Sequence, residues 1–376
     1  RRARAPASFA TRVLAWYADH GRRDLPWQRD RSLYRVWVSE IMLQQTQVAT
    51  VVPYYERFVA RFPNVAALAA APLDEVLHYW TGLGYYARAR NLQRAARLIV
   101  ARHGGEVPAA IDALEALPGI GRSTAGAILA LALGRRHPIL DGNVKRVLAR
   151  WRMIGGAAQR AAVAAQLWAL AEELTPSKRI AEYTQAIMDL GATVCTRRQP
   201  HCERCPVAAD CAARLAGRVG EFPASRRVRR GDRVRRRTVM LLAMNERREV
   251  LLERRAEQGI WGGLWCFPEF ANAAEARAHA RRRLLQARWP AAPLPPVEHA
   301  FTHFDLTIEP WLARCAGERP GVADDSAPRR QRGAARPAPR RRLWYNPAQP
   351  RQRLGLPQPV KTLLEQLTNE DAFGGG

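Results

Sequence analysis

Lysine is almost missing from this strongly basic chain. Only Lys145, Lys178 and Lys361 occur among 376 residues, so arginine carries nearly all of a formal charge of +26. Also lacking is any apolar run approaching the length of about 20 residues that spans a bilayer; Ala125 to Leu133 is among the longest. The basic start Arg1 to Arg4 leads into no apolar signal core. Cysteine is scarce, six in all, which excludes a disulfide-built scaffold. With membrane spans and secreted scaffolds set aside, the expectation is a cytoplasmic protein. What is abundant is hydrophobic content, 47%, enough for the cores of about two domains. The excess charge points to a polyanionic partner. Part of the arginine bias runs alongside heavy use of alanine and proline, so charge alone does not carry a nucleic-acid reading.

A turn carries it further. Leu117-Pro118-Gly119-Ile120-Gly121 lies between two helical patterns, Ile111 to Ala116 and Ser123 to Leu133. The second helix must begin with backbone N–H groups that have no intrahelical partner, and such a terminus attracts anions. Gly119 and Gly121 would let a phosphate approach the backbone closely. Taken alone, the same residues also suit an ordinary helical hairpin. Past this helix comes Leu140-Asp141-Gly142-Asn143-Val144-Lys145-Arg146. Asp141 is placed to cap the helix Val144 to Trp151, where N–H groups and the helix dipole favour the ionised carboxylate.

Cys195, Cys202, Cys205 and Cys211 form C-x6-C-x2-C-x5-C, while Cys266 and Cys315 stand apart. In a reducing compartment, four clustered thiols mean a metal site, and the spacing admits either tetrahedral zinc or an iron–sulfur cluster. The lack of a second C-x2-C knuckle disfavours a zinc ribbon. Thr196 to His201 would be held out as a basic loop, its arginines near phosphate and His201 outside a ligand shell already complete.

A helix-hairpin-helix, an aspartate heading the next helix and this cysteine pattern together resemble the endonuclease III superfamily of DNA glycosylases. Val38-Ser39-Glu40-Ile41-Met42-Leu43-Gln44-Gln45-Thr46-Gln47-Val48 and Trp80-Thr81-Gly82-Leu83-Gly84-Tyr85-Tyr86-Ala87-Arg88-Ala89-Arg90-Asn91 narrow the resemblance to the MutY family, the A/G-specific adenine glycosylases. It runs from about Phe9 to Gly355, apart from a linker and one insertion. The resemblance implies a 4Fe-4S cluster on the four cysteines and double-stranded DNA with adenine opposite 8-oxoguanine or guanine as the partner. It also implies a monomer at the nucleoid of a bacterium.

Glu40 sits within an apolar helical pattern, Val36, Trp37, Ile41, Leu43 and Val48, where a lone carboxylate would ordinarily face water. The resemblance puts it instead in a base-sized pocket. There desolvation raises its pKa and keeps it protonated as a general acid, so the pKa values of Glu40 and Asp141 are expected to be pushed apart. By the same resemblance Glu40 protonates adenine N7, Asp141 stabilises the sugar cation, Asn143 orients Asp141, and Gln185 contacts the flipped adenine. Gln44, Thr46, Leu83 and Tyr85 match positions that fill the vacated stack and meet the opposite base. Ser123 stands where bifunctional relatives place a lysine nucleophile, which predicts base release without strand scission. Lys145 matches a lysine near the abasic sugar and is expected to bind phosphate.

A second domain is expected over 238–368, after a catalytic domain over 1–219 and a basic linker over 220–237, with a tail over 369–376. The first would comprise a six-helix part, about 30–136, and a cluster part, 1–29 with 137–219. Thr238 to Met244 and Glu249 to Glu253 alternate as a strand pair around Asn245 to Arg248. Gly259 to Pro268 resembles the MutT-like Nudix fold that ends MutY proteins. The fold class is thus an all-α glycosylase domain followed by an α/β Nudix-like domain. Ala273 to Arg283 offers Glu275 alone where a Nudix hydrolase needs several glutamates for magnesium, so no magnesium-dependent hydrolysis is expected. Phe301, Thr302 and His303 match the loop that inspects 8-oxoguanine, with threonine where most members have serine; a buried strand histidine is the lesser reading of His303. An Arg-, Pro- and Ala-rich insertion over 317–342 is expected to lack order. Two other readings stay open: a bifunctional endonuclease III-type enzyme, and an inactive protein that only marks lesions.

Overall fold

The computed structural model describes residues 7–156, 160–224, 234–301, 303–319 and 342–369. They fall into two compact units, Arg1–Ala71 with Arg90–Arg227, and Pro72–Ala89 with Val228–Gly376.

The first unit is helical because its apolar residues recur at helical spacing and polar residues cap the ends. Ser8 opens the helix Phe9–His20, its hydroxyl accepting from the Thr11 N–H, and Phe9, Val13, Leu14, Trp16 and Tyr17 are buried. Ser32 does the same for Leu33–Leu43 by accepting from the Arg35 N–H, and that helix buries nearly every side chain from Tyr34 to Met42. The hairpin joins Ile111–Glu115 to Arg122–Leu133, whose stretch Ala125 to Ala130 is buried. Gly126 lets the Pro138 carbonyl come close, since a Cβ there would lie 2.8 Å from it. The chain then reaches Gly142–Trp151, and later Ile180–Asp189, which continues as a wider turn over Leu190–Val194 into Cys195. One core, including Trp16, Val147, Trp151, Tyr183 and Leu190, has Cys195, Cys205 and Cys211 packed against its edge.

The second unit is a mixed sheet of β1 (Val234–Met244), β2 (Val250–Arg254), β3 (Trp265–Cys266), β4 (Glu269–Phe270), β6 (Val297–Ala300), β7 (Phe304–Arg314) and β9 (Arg342–Tyr345). Its main order is β3-β2-β1-β7-β6, with β4 also on β1 and β9 on β2; β5 (Leu284–Leu285) pairs separately with β8 (Gly317–Glu318). β1 and β7 run parallel in register from Val234–Phe304 to Met244–Arg314. A parallel pair needs a crossover, and the helix Ala273–Arg283 lies within it, placing Ala280 against Leu241 and Ala243 of the sheet core. Asn245 makes the expected β1–β2 turn by accepting from the Arg247 and Glu249 N–H groups.

Two boundaries differ from the sequence expectation. Pro72–Ala89 groups with the second unit because the chain near Gly355 packs on it. Tyr86 donates to the Leu356 carbonyl at 3.0 Å, the Leu356 N–H donates to Thr81 Oγ1 at 3.3 Å, and Arg353 pairs with Glu75 at 3.3 Å. The linker is shorter than 220–237. Val219–Glu221 is a helical turn followed by buried Phe222, and Val234 to Arg237 already pair in β1. Of the insertion, Gly317–Glu318 and Arg342 are strand; 320–341, 225–233, 1–6 and the tail from residue 370 lie outside the described residues.

A Cβ on Gly355 would lie 2.4 Å from Leu77 Cβ. Gly355→Ala is expected to destabilise the second unit by about 1–3 kcal/mol, seen as a lower urea midpoint; an unchanged midpoint would show that these segments do not touch.

Candidate active site

The helix Leu33–Leu43 ends at Gln44, and Gln45 takes a left-handed φ of 59° before the next helix starts at Val48. That turn brings Gln44 and Thr46 to the same cleft as Glu40. Asp141 and Asn143 arrive from the head of Gly142–Trp151, Ser123 from the hairpin and Gln185 from Ile180–Asp189. The cleft holds about 1810 Å³. That exceeds the ~300–1,000 Å³ of small-ligand sites and suits an extended ligand.

Glu40 follows Val36, Trp37 and Val38, all buried, along its helix. Burial, reinforced by the charge of Asp141, pushes its carboxyl up to about 8. Asp141 caps its helix as expected, accepting from the Val144 N–H at 2.7 Å. Its net shift nevertheless goes up. Burial outweighs the Val144 and Asn143 N–H groups and the Arg146 and Lys145 charges, which pull the other way. The downward shift expected from capping alone is corrected accordingly. The Asn143 N–H supports Asp141, whereas the Asn143 side-chain oxygen accepts from Arg146 at 2.8 Å.

At the hairpin, Gly119 has φ +84° and a Cβ on it would meet Asn91 at 3.0 Å, so this glycine serves the turn itself. Gly121 is different: its φ is ordinary and nothing lies within 4 Å of a Cβ built there. The backbone is open at that point for a ligand. Ser123 Oγ accepts from the Leu140 N–H at 2.9 Å, locking the hairpin to the segment before Asp141. Gln44 Nε2 reaches the Gly119 carbonyl at 3.4 Å, and Thr46 Oγ1 the Gln44 carbonyl at 3.5 Å. Lys145 is half-buried, its backbone N–H bonded to the Asp141 carbonyl at 2.9 Å.

Cys195, Cys202, Cys205 and Cys211 line one small cavity with Val147, Trp151 and Val207. Among the described residues, no three His, Cys, Asp or Glu side chains are arranged to share one metal ion. The thiols have a cationic neighbour in Arg150, whose Nη1 lies 3.3 Å from Cys195 Sγ. Burial and mutual charge raise Cys202, Cys205 and Cys211.

Residues 38–173 match the HhH-GPD superfamily of base excision DNA repair proteins, and 239–366 match the NUDIX domain. An adenine DNA glycosylase of Buchnera aphidicola subsp. Acyrthosiphon pisum is 36% identical over 95% of this chain and 97% of its own. The chain belongs to the adenine DNA glycosylase family. The human adenine DNA glycosylase is 38% identical over 83% of this chain and 68% of its own. A thermostable thymine-DNA glycosylase of known structure aligns with 55% of this chain and 95% of its own at 29% identity and a TM-score of 0.51.

Within this family member, the remaining expected residues lie in the second unit. Gly82 and Gly84, with φ of 97° and 74°, bend the chain so that Tyr85 stands 47% exposed, while Leu83 is buried. Arg88, itself buried, donates to the Leu83 and Gly84 carbonyls on the inner side of this turn. Phe301 stacks on Phe304 at 4.5 Å and meets Trp261 at 5.4 Å, closing the β6–β7 hairpin. His303 is exposed at its tip, not buried in a strand; Thr302 lies outside the described residues.

Sequence reasoning missed Arg22, Asp189, Arg146 and Arg150. Arg146 donates to the Cys195 and Gly191 carbonyls at 2.7 and 2.6 Å. Arg150, 2% exposed, donates to Thr196, Val219 and Phe222 carbonyls. The only signal was an arginine pair four apart on a helix whose other face is apolar.

The Glu40 shift makes a stability prediction. The unfolded carboxyl ionises near 4.5 and the folded one near 8, so native stability falls as pH rises between them. Glu40→Gln removes that loss. The variant should melt at nearly the native temperature at pH 5 and higher than native at pH 9; equal melting at both would mean an ionised, solvated Glu40.

Proposed function

We propose that this protein releases adenine from DNA where it lies opposite 8-oxoguanine or guanine, by hydrolysing the N-glycosidic bond and leaving the strand intact. One observation carries the reading: two carboxyls share the cleft, and one of them, Glu40, holds its proton near neutral pH. The target must leave the stack to reach them. Protonated Glu40 donates to adenine N7, and the C1′–N9 bond breaks with its electrons passing to the purine. The oxocarbenium charge left on the sugar faces Asp141, whose carboxyl accepts from the Val144 N–H and would stabilise that charge. Water adds at C1′, and its proton goes to the Glu40 carboxylate, restoring the acid. Asn143 supports Asp141, and Gln185 lines the cleft where the base would lie.

The hairpin N–H groups after Gly121 and the flanking arginines would hold the duplex phosphates. Gln44, Thr46, Leu83 and Tyr85 would meet the gap and the opposite base, with Leu83 turning outward to do so. Ser123 lacks an amine, and its hydroxyl is already engaged by Leu140, which supports release without strand scission. Lys145 would contact phosphate beside the sugar. Phe301, Thr302 and His303 would read 8-oxoguanine. Glu275 on the helix Ala273–Arg283 accepts from Asn272 at 3.0 Å and so serves its own helix end, which supports a reading rather than a hydrolytic role for this unit. The protein would act as a monomer on the chromosome in a bacterial cytoplasm.

Cys195, Cys202, Cys205 and Cys211 would hold a 4Fe-4S cluster, which when bound supplies a rigid cross-link for the basic loop Thr196 to His201 and a redox-capable centre. Four thiols around one cavity beside a buried guanidinium support this assignment. Purified protein should show broad visible absorbance with iron and sulfide in equal amounts, lost in Cys205→Ala; zinc without sulfide would overturn it.

The activity test is single-turnover cleavage of a duplex with adenine opposite 8-oxoguanine, resolved with and without alkali. Breaks only after alkali, lost in Glu40→Gln and Asp141→Asn with binding retained, are expected. Breaks without alkali would establish the bifunctional reading with Lys145 as first suspect; tight binding with no breaks would establish a lesion marker.

A further inference from the structure

Gln185 lines the cleft but is only 7% exposed, and what holds it is more informative than what it touches. One helical turn later, Asp189 is fully buried. Its Oδ1 accepts from Arg22 Nη2 at 2.6 Å, from Arg22 Nε at 3.0 Å and from Gln185 Nε2 at 2.9 Å, while Oδ2 accepts from the Arg22 backbone N–H at 2.8 Å. A carboxylate clasped by a guanidinium can only accept hydrogen bonds. The Gln185 carboxamide, which by itself could present either end, is therefore fixed with its NH2 toward Asp189. Its carbonyl oxygen is left as the acceptor for a ligand in the cleft.

That polarity distinguishes purines. On the edge bearing N7, adenine shows an acceptor at N7 and a donor at N6, whereas guanine and hypoxanthine show acceptors at both N7 and O6. A protonated Glu40 suits N7 of all three. Only an acceptor at the neighbouring position favours adenine. We propose that Asp189, held by Arg22, is a specificity-positioning residue: it locks Gln185 as an acceptor for the adenine 6-amino group and so sets this cleft against 6-oxopurines.

The inference rests on adenine being the base released, and the test separates the two. Single-turnover excision is measured for adenine, unsubstituted purine and hypoxanthine, each opposite 8-oxoguanine, and each rate is divided by acid depurination of the same nucleoside without protein. For the native protein the corrected order should be adenine, then purine, then hypoxanthine, with hypoxanthine roughly 100-fold below adenine, one hydrogen bond lost and one acceptor opposed. In Asp189→Asn the new amide can donate to Gln185, allowing the carboxamide to turn. The adenine preference over purine should then fall about tenfold and hypoxanthine should rise to or above purine, with the purine rate little changed.

A uniform loss on all three substrates would make Asp189 merely structural and overturn the proposal. So would native excision of hypoxanthine as fast as purine after correction, a comparison that needs no folded variant. Failure of the native protein to release adenine would instead remove the underlying reading.

Discussion

The helix Gly142–Trp151 ties the cleft of the first unit to its cysteine segment. At its head Asp141 takes a backbone N–H and lines the cleft. One turn along, Arg146 clasps Asn143, Gly191 and Cys195; one turn further, Arg150 holds the Cys195 thiol and the carbonyls of Val219 and the cleft-lining Phe222. Both guanidinium groups are satisfied by several acceptors, and a buried guanidinium without them would be costly. Gly191 completes the arrangement. A Cβ there would lie 2.7 Å from Asn143, so the turn after Asp189 can reach this helix only with glycine.

The use of arginine follows from that geometry. A guanidinium offers five donors in a fixed plane, and Arg150 spends them on five different acceptors, which a lysine with one short-range charge could not reach together. Arg22 uses its fork differently, placing Nε and Nη2 together on Asp189 Oδ1. The cleft thus receives its electrostatics from groups that are themselves held on two or more sides. Glu40, raised by burial beside the ionisable Asp141, costs native stability at alkaline pH.

In the second unit the β6–β7 hairpin is supported by aromatic side chains. Trp261, itself at a positive φ of 55°, packs with His299 and Phe301, while Arg236 lies over Phe304. These contacts shape the β6–β7 hairpin from beneath and leave His303 at its exposed tip.

Much of this was legible in the residue order. Helix periodicity, the Pro-Gly, Gly-x-Gly turn, the capping Asp141, the cysteine spacing and the β1–β2 hairpin are local, and local chemistry determines them: caps act within three residues and a side-chain period within one turn. What only the tertiary structure decided are encounters between distant segments. Asp189 meets Arg22 across 167 residues, Leu356 meets Tyr86 across 270, and burial reverses the shift that capping alone would have given Asp141. Sequence determined which groups this protein possesses and how each starts its own helix or turn. Which of them lose water, and which partner then fixes their charge and orientation, depends on packing between segments that no local pattern encodes.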